Sequence, residues 1–107
     1  PDSARYLRIL EEMNGVGYEQ RGAKFVCVLA LVAEDGDEIV IRGECSGKIT
    51  NEPRGSNGFG YDPIFFHEPS GLTFAEMSNI KKNSVSHRAN AMKKLFHELR
   101  NLGLKMP

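Results

Sequence analysis

The sequence predicts an α/β fold of the α+β type, with a β-hairpin, a third strand and flanking helices around a small mixed sheet. Three observations support this prediction. A Val- and Leu-rich segment and a segment with alternating apolar residues flank a turn at 34–37, a glycine-rich stretch leads into a further apolar segment, and apolar residues at steps of three and four mark a helix near each end. The order helix, hairpin, loop, strand, turn, helix makes one α/β unit.

The first half of the chain is predicted to be a helix followed by the hairpin. Residues 3–14 have helical spacing of apolar side chains, and Asn14-Gly15 can end that helix. Residues 24–34 are predicted to form a buried strand, and residues 38–49 its antiparallel partner. Gly43 and Gly47 interrupt the second strand and are candidate bulges.

The second half is predicted to be a loop at 51–60, a third strand at 61–67, a turn at 68–72 and a helix. Ser84 or Ser86 can cap the start of that helix, and Gly103 can close its end. After that turn, Thr73 or Glu76 is expected to form a hydrogen bond with the backbone and so lock the turn. One helix face is predicted to hold the following apolar residues: Val85, Ala89, Met92, Phe96, Leu99 and Leu102.

Composition is typical of a globular domain. The 107 residues make one domain or part of one, with 40% hydrophobic and 26% charged side chains. The longest apolar run, from Phe25 to Ala33, is too short to span a membrane, and no signal-peptide pattern is present. We therefore expect a cytoplasmic protein with no membrane partner, in which Cys27 and Cys45 are free, buried thiols. No cysteine or histidine has metal-ligand spacing.

Charge is unevenly distributed, although the formal net charge is zero. Residues 1–80 hold seven Lys or Arg and thirteen Asp or Glu, whereas residues 81–107 hold seven basic side chains and only Glu98. A basic end favours an anionic partner, such as a phosphate or nucleic acid. A solvated helix face explains the same charges without any partner. Nucleic acid is the less favoured partner, because the cations cluster at one helix end instead of forming a stripe with aromatic side chains.

The stretch 54–63 (RGSNGFGYDP) is the most informative part of the sequence. Phe59 and Tyr61 offer flat faces on which a base can stack, and Pro63 is expected to hold Asp62 in an extended conformation. An ordinary turn before a strand explains these residues about equally well. The stretch matches neither a P-loop nor a dinucleotide-binding fingerprint. Three of its residues permit positive φ and close approach of the backbone to a ligand: Gly55, Gly58 and Gly60.

A second cluster lies where the last predicted helix begins. Lys82 is expected just before that helix, and His87 and Arg88 in its first turn, where free N–H groups favour anions. Lys82 can supply a point charge to a phosphate. Arg88 can donate a fork of hydrogen bonds to a purine O6 and N7. Cations at a helix N-terminus are mildly unfavourable for structure alone, which favours a functional role.

Three ordered motifs resemble the Ham1/inosine triphosphatase family: PRGSNGFGYDPIF at 53–65, TFAEM at 73–77 and KNSVSHRA at 82–89. Residues 21–49 are similar to the strand pair that precedes the loop in that family. The resemblance implies a partial Ham1-like fold. It also implies the family's activity, the Mg²⁺-dependent hydrolysis of deaminated purine nucleotides (ITP, dITP and XTP) to monophosphate and pyrophosphate by a homodimeric XTP/dITP diphosphatase.

The same resemblance implies roles for particular residues. Phe59 would stack on the base. Lys82 would hold phosphate oxygens and would be the one catalytic residue in this chain, while His87 and Arg88 would contact the purine edge. The implied substrate-binding set is Phe59, Gly60, Tyr61, Asp62, Lys82, His87 and Arg88.

The sequence also departs from the family pattern. The phosphate-cradling SGNxxK loop and the acidic DDSGL-type segment, which carries Mg²⁺ binding and water activation in the family, are absent. Lys81 stands where the family usually has Glu, and Arg5 where Asn is common. The resemblance therefore implies that the magnesium ligands lie mainly in a missing N-terminal segment and that this chain alone is inactive.

We interpret residues 1–107 as a single partial domain, the C-terminal substrate-recognition half of an inosine triphosphatase-like domain. Two explanations are open: a piece of a full enzyme, or a half-length module that folds by self-association. We favour the first, because a half-domain exposes the sheet edge and core face that its other half covers. The alternative functions are a catalytically incomplete nucleotide- or nucleic-acid-binding module and a structural interaction domain.

Overall fold

The computed structural model describes residues 1–101. Within them the chain forms three helices, α1 (Asp2–Glu12), α2 (Asn79–Val85) and α3 (His87–Asn101), and four strands, β1 (Gly22–Val32), β2 (Glu38–Ile49), β3 (Phe65–His67) and β4 (Leu72–Thr73). The strands form one sheet in the order β1-β2-β3-β4, with antiparallel neighbours. This confirms the predicted α/β class with a hairpin, a third strand and flanking helices. No helix among the described residues is long and apolar enough to cross a membrane.

The chain divides into two compact units. Among the described residues, the first comprises residues 1–24 and 46–82, and the second comprises residues 25–45 and 83–101. Each long strand contributes one segment to each unit.

The core of the first unit is formed by the short strands and the turn after them. Its largest fully buried side chains include Ile64, Phe65, Phe74 and Met77, and the rings of Phe65 and Phe74 lie 4.9 Å apart between centroids. Burial of such side chains is the main favourable term in folding. The pairing of Lys48 with Phe66 sets the register of β2 against β3.

Arg21 is a buried cation that serves only the backbone. Its guanidinium donates to the carbonyl oxygens of Ile49 at 2.7 Å and Thr50 at 2.6 Å. It also donates to Met13 at 2.9 Å and Val16 at 3.2 Å, just after α1 ends. A planar guanidinium with several donors suits this arrangement, which ties the end of α1 to the end of β2 within the first unit.

The second unit packs α3 against one face of the hairpin. The hairpin turn has Gly36 at φ +93°, with hydrogen bonds from Gly36 N to Ala33 O and from Ala33 N to Asp37 O, which is the three-residue loop with a bulge at its last position. Gly43 and Gly47 do not act as the expected bulges but as points of close approach. A β-carbon at Gly43 would overlap the backbone of Ala91 in α3, and one at Gly47 would lie 2.7 Å from the Phe65 ring.

Two predicted elements in the middle of the chain need correction. The third strand is only Phe65–His67, because Asp62–Ile64 forms a 3₁₀ turn around Pro63, which lacks a backbone N–H. The predicted turn at 68–72 is followed by the short strand β4, which the sequence analysis did not predict.

A short helix that the sequence analysis did not predict, α2, precedes the last helix, α3. Ser78 accepts from Lys81 N and caps α2. Ser86 accepts from Ala89 N and caps α3, so Ser86 is the predicted cap and Ser84 lies inside α2.

The predicted apolar face of α3 is also incorrect in part. The fully buried residue of α3 is Ala91, which that face omitted, whereas Met92 is exposed. The close approach of Gly43 explains this burial, because only a small side chain fits there. Leu102 and Gly103, two further parts of the helix prediction, lie outside the described residues.

Candidate functional site

The glycine-rich loop has the conformation that its sequence predicts. Gly55, Gly58 and Gly60 have φ values of +88°, +77° and +62°, in the left-handed region that glycine adopts without steric cost. A β-carbon at Gly55 would also lie 2.5 Å from the carbonyl oxygen of Ala75. The loop is therefore pressed against the turn that follows β4. Asn57 holds it there by donating from Nδ2 to Met77 O at 3.1 Å.

Arg54 and Glu76 connect the start of this loop to the same turn. Glu76 Oε1 accepts from Arg54 Nη2 at 2.8 Å and from the backbone N–H of Thr73 at 2.9 Å. Thr73 Oγ1 donates to Arg54 O at 2.7 Å. The hydrogen bond from Arg54, with that from the Thr73 backbone, lowers the pKa of Glu76. The predicted role of Thr73 and Glu76 in locking the turn is confirmed.

A buried ion pair lies at the end of the loop. Lys82 Nζ donates to Asp62 Oδ2 at 2.5 Å, with side chains that are 18% and 7% exposed. The same carboxylate oxygen accepts from the backbone N–H of Phe59 at 3.2 Å. Gly58 leaves room for the pair, because a β-carbon there would overlap the Asp62 carboxylate. Asp62 therefore fixes both a cation and the backbone of the loop.

Phe59 presents its ring to solvent above this ion pair. The residue is 65% exposed, and Lys82 Nζ lies 4.9 Å from its ring centroid, which is a cation–π distance. A ring fixed beside a cation suits the stacking of an anionic aromatic ligand. Tyr61 is also exposed, although less so.

An open cavity of about 330 Å³ adjoins the loop on the side of α1. Asp2, at the start of α1, accepts from Gly60 N at 2.8 Å. The α1 residues were not among the predicted site residues, and no sequence pattern links positions 58 residues apart. The lining comprises Asp2, Ser3, Tyr6, the loop residues 55–60 and Pro63.

The predicted site residues fall into two groups. Within the first unit the structure brings together Phe59, Gly60, Tyr61, Asp62 and Lys82. The second unit holds His87 and Arg88 in the first turn of α3, as predicted, with the His87 ring 4.9 Å from that of Phe25.

One detail of the site prediction is incomplete and another is wrong. Lys82 precedes the last helix, α3, as predicted, but it lies inside α2, a short helix that the sequence analysis did not predict. Asp62 begins a 3₁₀ turn instead of being extended, since Ile64 N donates to Tyr61 O at 3.0 Å. Its direction is fixed by Phe59 N and Lys82, and not by Pro63.

A larger open depression of about 860 Å³ lies elsewhere in the first unit. It contains none of the predicted site residues. Its lining residues are Gly22, Ala23, Lys24, Ser46, Gly47, Lys48, Glu68 and Pro69.

Across residues 1–101, no group of three His, Cys, Asp or Glu side chains is placed to hold a metal ion. Cys27 and Cys45 form no disulfide, as predicted, but of the two only Cys45 is buried, and burial raises the pKa of its thiol.

Comparison with known proteins identifies the family. The Ham1 family model matches residues 1–98. The dITP/XTP pyrophosphatase of Synechocystis sp. is 46% identical over 98 residues, which is 91% of this chain and 50% of the relative. The Ham1 protein of Staphylococcus aureus superposes with a TM-score of 0.88 at 36% identity, over 94% of this chain and 52% of that one. The corresponding values for a HAM1 protein from Coxiella burnetii are 0.84, 38%, 94% and 52%.

The chain thus spans about half the length of the relatives that it matches. The matches cover the glycine-rich loop, the turn at 73–76 and α2, which carry the arrangement described above. On the strength of the family match over residues 1–98, this chain belongs to the Ham1 family.

Proposed function

We propose that this chain is the C-terminal, substrate-recognition half of a nucleoside triphosphate pyrophosphatase that hydrolyses ITP, dITP and XTP to the monophosphate and pyrophosphate. The observation that carries the proposal is the exposed Phe59 ring, held over the buried Asp62–Lys82 pair at the edge of an open cavity. The name dITP/XTP pyrophosphatase, which the Synechocystis relative carries, supports the choice of substrate.

Base recognition begins with stacking. A purine placed on Phe59 contacts the ring of that residue. The backbone N–H of Phe59 is held by Asp62, so the loop needs little ordering when the purine binds. Gly60 and Tyr61 continue the surface beside that ring. Lys82 brings positive charge to the same ring, where a nucleotide with a polyphosphate is favoured over a neutral nucleoside. In this proposal Lys82 contacts phosphate oxygens during the reaction, and Asp62 is the residue that positions it.

Discrimination between purines is assigned to His87 and Arg88. A 6-oxo purine presents acceptors at O6 and N7, whereas adenine presents an amino donor at position 6. A site built from donors leaves buried groups unpaired when adenine enters, and this is costly. Both residues lie in the first turn of α3, where helix N–H groups add further donors.

The described residues, 1–101, do not provide a magnesium site. Asp62, the carboxylate in the loop, is already engaged by Lys82 and Phe59. No cluster of suitable ligands is present within residues 1–101. A divalent metal, which would stabilise charge developing on the phosphates, would be held by carboxylates outside this chain. We also propose a homodimeric, cytoplasmic enzyme as the intact protein.

Nucleic-acid binding is the less favoured function for the basic end. Lys93 Nζ donates to Ser84 O at 3.0 Å, and Lys94 Nζ donates to Arg42 O at 2.9 Å. Both ammonium groups are thus engaged by the protein backbone. If nucleic acid were the ligand, neutralising Lys93 and Lys94 would weaken binding and reduce its salt dependence.

The test is calorimetric binding of ITP and ATP to the 107-residue chain. We expect ITP to bind at least about tenfold more tightly than ATP, with no hydrolysis by the chain alone. Arg88→Ala should remove most of this preference, whereas Arg100→Ala, a change of an exposed arginine later in α3, should not. Equal affinity for both nucleotides would contradict the proposed recognition role, and hydrolysis by the pure chain would contradict the assignment of catalysis to residues elsewhere.

A further inference from the structure

The hairpin in the second unit has apolar side chains on both faces. Residues 25–33 form an uninterrupted apolar run, and such runs are typical of strands buried on both sides of a sheet. The structure covers only one side. On that side α3 packs over Gly43, with Ile41 and Cys45 buried nearby in β2.

The other side carries a cluster of exposed valines. Val26, Val28 and Val32 alternate along β1 and so point to the same face, and they are 39%, 57% and 64% exposed. The turn sets β2 in register so that Val40, 59% exposed, lies opposite Ala30 on this face. We call these residues (Val26, Val28, Val32 and Val40) the valine face. Beyond it the same side of β2 becomes polar with the Arg42–Glu44 ion pair at 2.8 Å.

We propose that the valine face is the surface on which the remaining part of a Ham1 domain packs. Contiguous apolar patches of this kind mark interaction surfaces. The matched relatives are about twice as long as the segment that this chain covers, at 50% coverage for the Synechocystis enzyme and 52% for the Staphylococcus aureus protein. The relatives therefore contain a comparable length of polypeptide that must pack somewhere on the matched half.

The remaining part of the domain is a better occupant than a second copy of this chain. The apolar run of β1 is typical of a strand whose two faces are both covered by elements of the same fold. A second copy would place two Arg42–Glu44 pairs in the same contact, and these charges lose solvation on burial. The proposal concerns packing alone, so it stands or falls independently of the proposed hydrolysis.

The test uses a chimera, the Synechocystis enzyme with its matched 98 residues replaced by this chain. Val40→Cys is introduced into the chain alone and into the chimera, and its rate of maleimide labelling is read by peptide mass spectrometry. We expect labelling to slow by at least about tenfold in the chimera, as burial of an exposed residue requires. Met92→Cys is the control, because Met92 is an exposed apolar residue of α3 outside the valine face. Its labelling rate should be similar in the chain and in the chimera.

Labelling of Val40→Cys at the same rate in the chain and in a folded chimera would overturn the proposal. Protection that disappears on dilution would also overturn it, because a second copy would then be the occupant.

A second measurement does not depend on the folding of the chimera. The unmatched part of the Synechocystis enzyme is mixed with this chain as a separate polypeptide. A one-to-one complex is expected, weakened at least about tenfold by Val28→Lys and unchanged by Met92→Lys. Absence of a complex, or equal weakening by both substitutions, counts against the valine face.

Discussion

The Asp62–Lys82 pair predicts a measurable coupling energy. Lys82→Met leaves a carboxylate that is 7% exposed with only the N–H of Phe59 as a partner, and loss of one partner from a buried pair costs about 3 kcal/mol. Asp62→Asn keeps an oxygen acceptor for Lys82, whose ammonium also lies 4.9 Å from the Phe59 ring centroid. Its cost is about 1.5 kcal/mol, the lower value for a hydrogen bond to a charged group.

The double variant Asp62→Asn/Lys82→Met removes both charges and so avoids the isolated carboxylate. Its cost should therefore be smaller than the sum of the two single costs by about 2 kcal/mol. Urea denaturation of the four proteins measures this difference, which corresponds to a shift of about 1 M in midpoint at a typical urea dependence.

The exposed Arg42–Glu44 pair provides the matched control, because its N···O distance of 2.8 Å is comparable but solvent screens it. Arg42→Met and Glu44→Gln should show a coupling below about 0.5 kcal/mol. Additivity of the Asp62 and Lys82 substitutions within about 0.5 kcal/mol would refute the argument that this pair is a desolvated unit.

Three further predictions concern the loop, the helix contact and the capped turn. Phe59→Ala should weaken ITP binding by about tenfold through lost stacking with little change in stability, whereas Phe59→Trp should retain affinity; equal calorimetric affinities would exclude stacking. Gly43→Ala should destabilise the fold by about 2 kcal/mol, because its β-carbon overlaps the backbone of α3, and Gly22→Ala, which points into open space, serves as the control in urea denaturation. The hydrogen bond from Arg54 lowers the pKa of Glu76 in the folded protein. The stabilisation by this carboxylate is therefore present at neutral pH and is lost as the pH falls below 4.5, the pKa of the unfolded side chain. Glu76→Gln should remove that part of the pH dependence of the free energy of unfolding.

Local features of the sequence were sufficient to predict much of the site. The positive φ values at Gly55, Gly58 and Gly60 fall in a loop-forming stretch where glycine permits them. The hairpin turn and the capped turn at 73–76 are also set by neighbours in sequence. These elements could be predicted because the interactions that fix them span only a few residues.

Tertiary contacts explain what the sequence analysis missed. Asp62 and Lys82 are 20 residues apart, and nothing local indicates that the carboxylate binds the ammonium. Likewise, the burial of Ala91 depends on the approach of Gly43, which a helical wheel does not contain. The omission of α2 was an avoidable error, because Ser78 is an ordinary capping residue at its start.

The contacts of Arg21 have a consequence for how the sequence can vary. All four of its acceptors are main-chain carbonyls, which every amino acid possesses. Substitutions at the acceptor positions therefore leave the guanidinium satisfied, whereas replacement of Arg21, even by lysine, removes the fork that spans them. In a deep mutational scan, position 21 should be intolerant while its acceptor positions vary with no correlated change at 21.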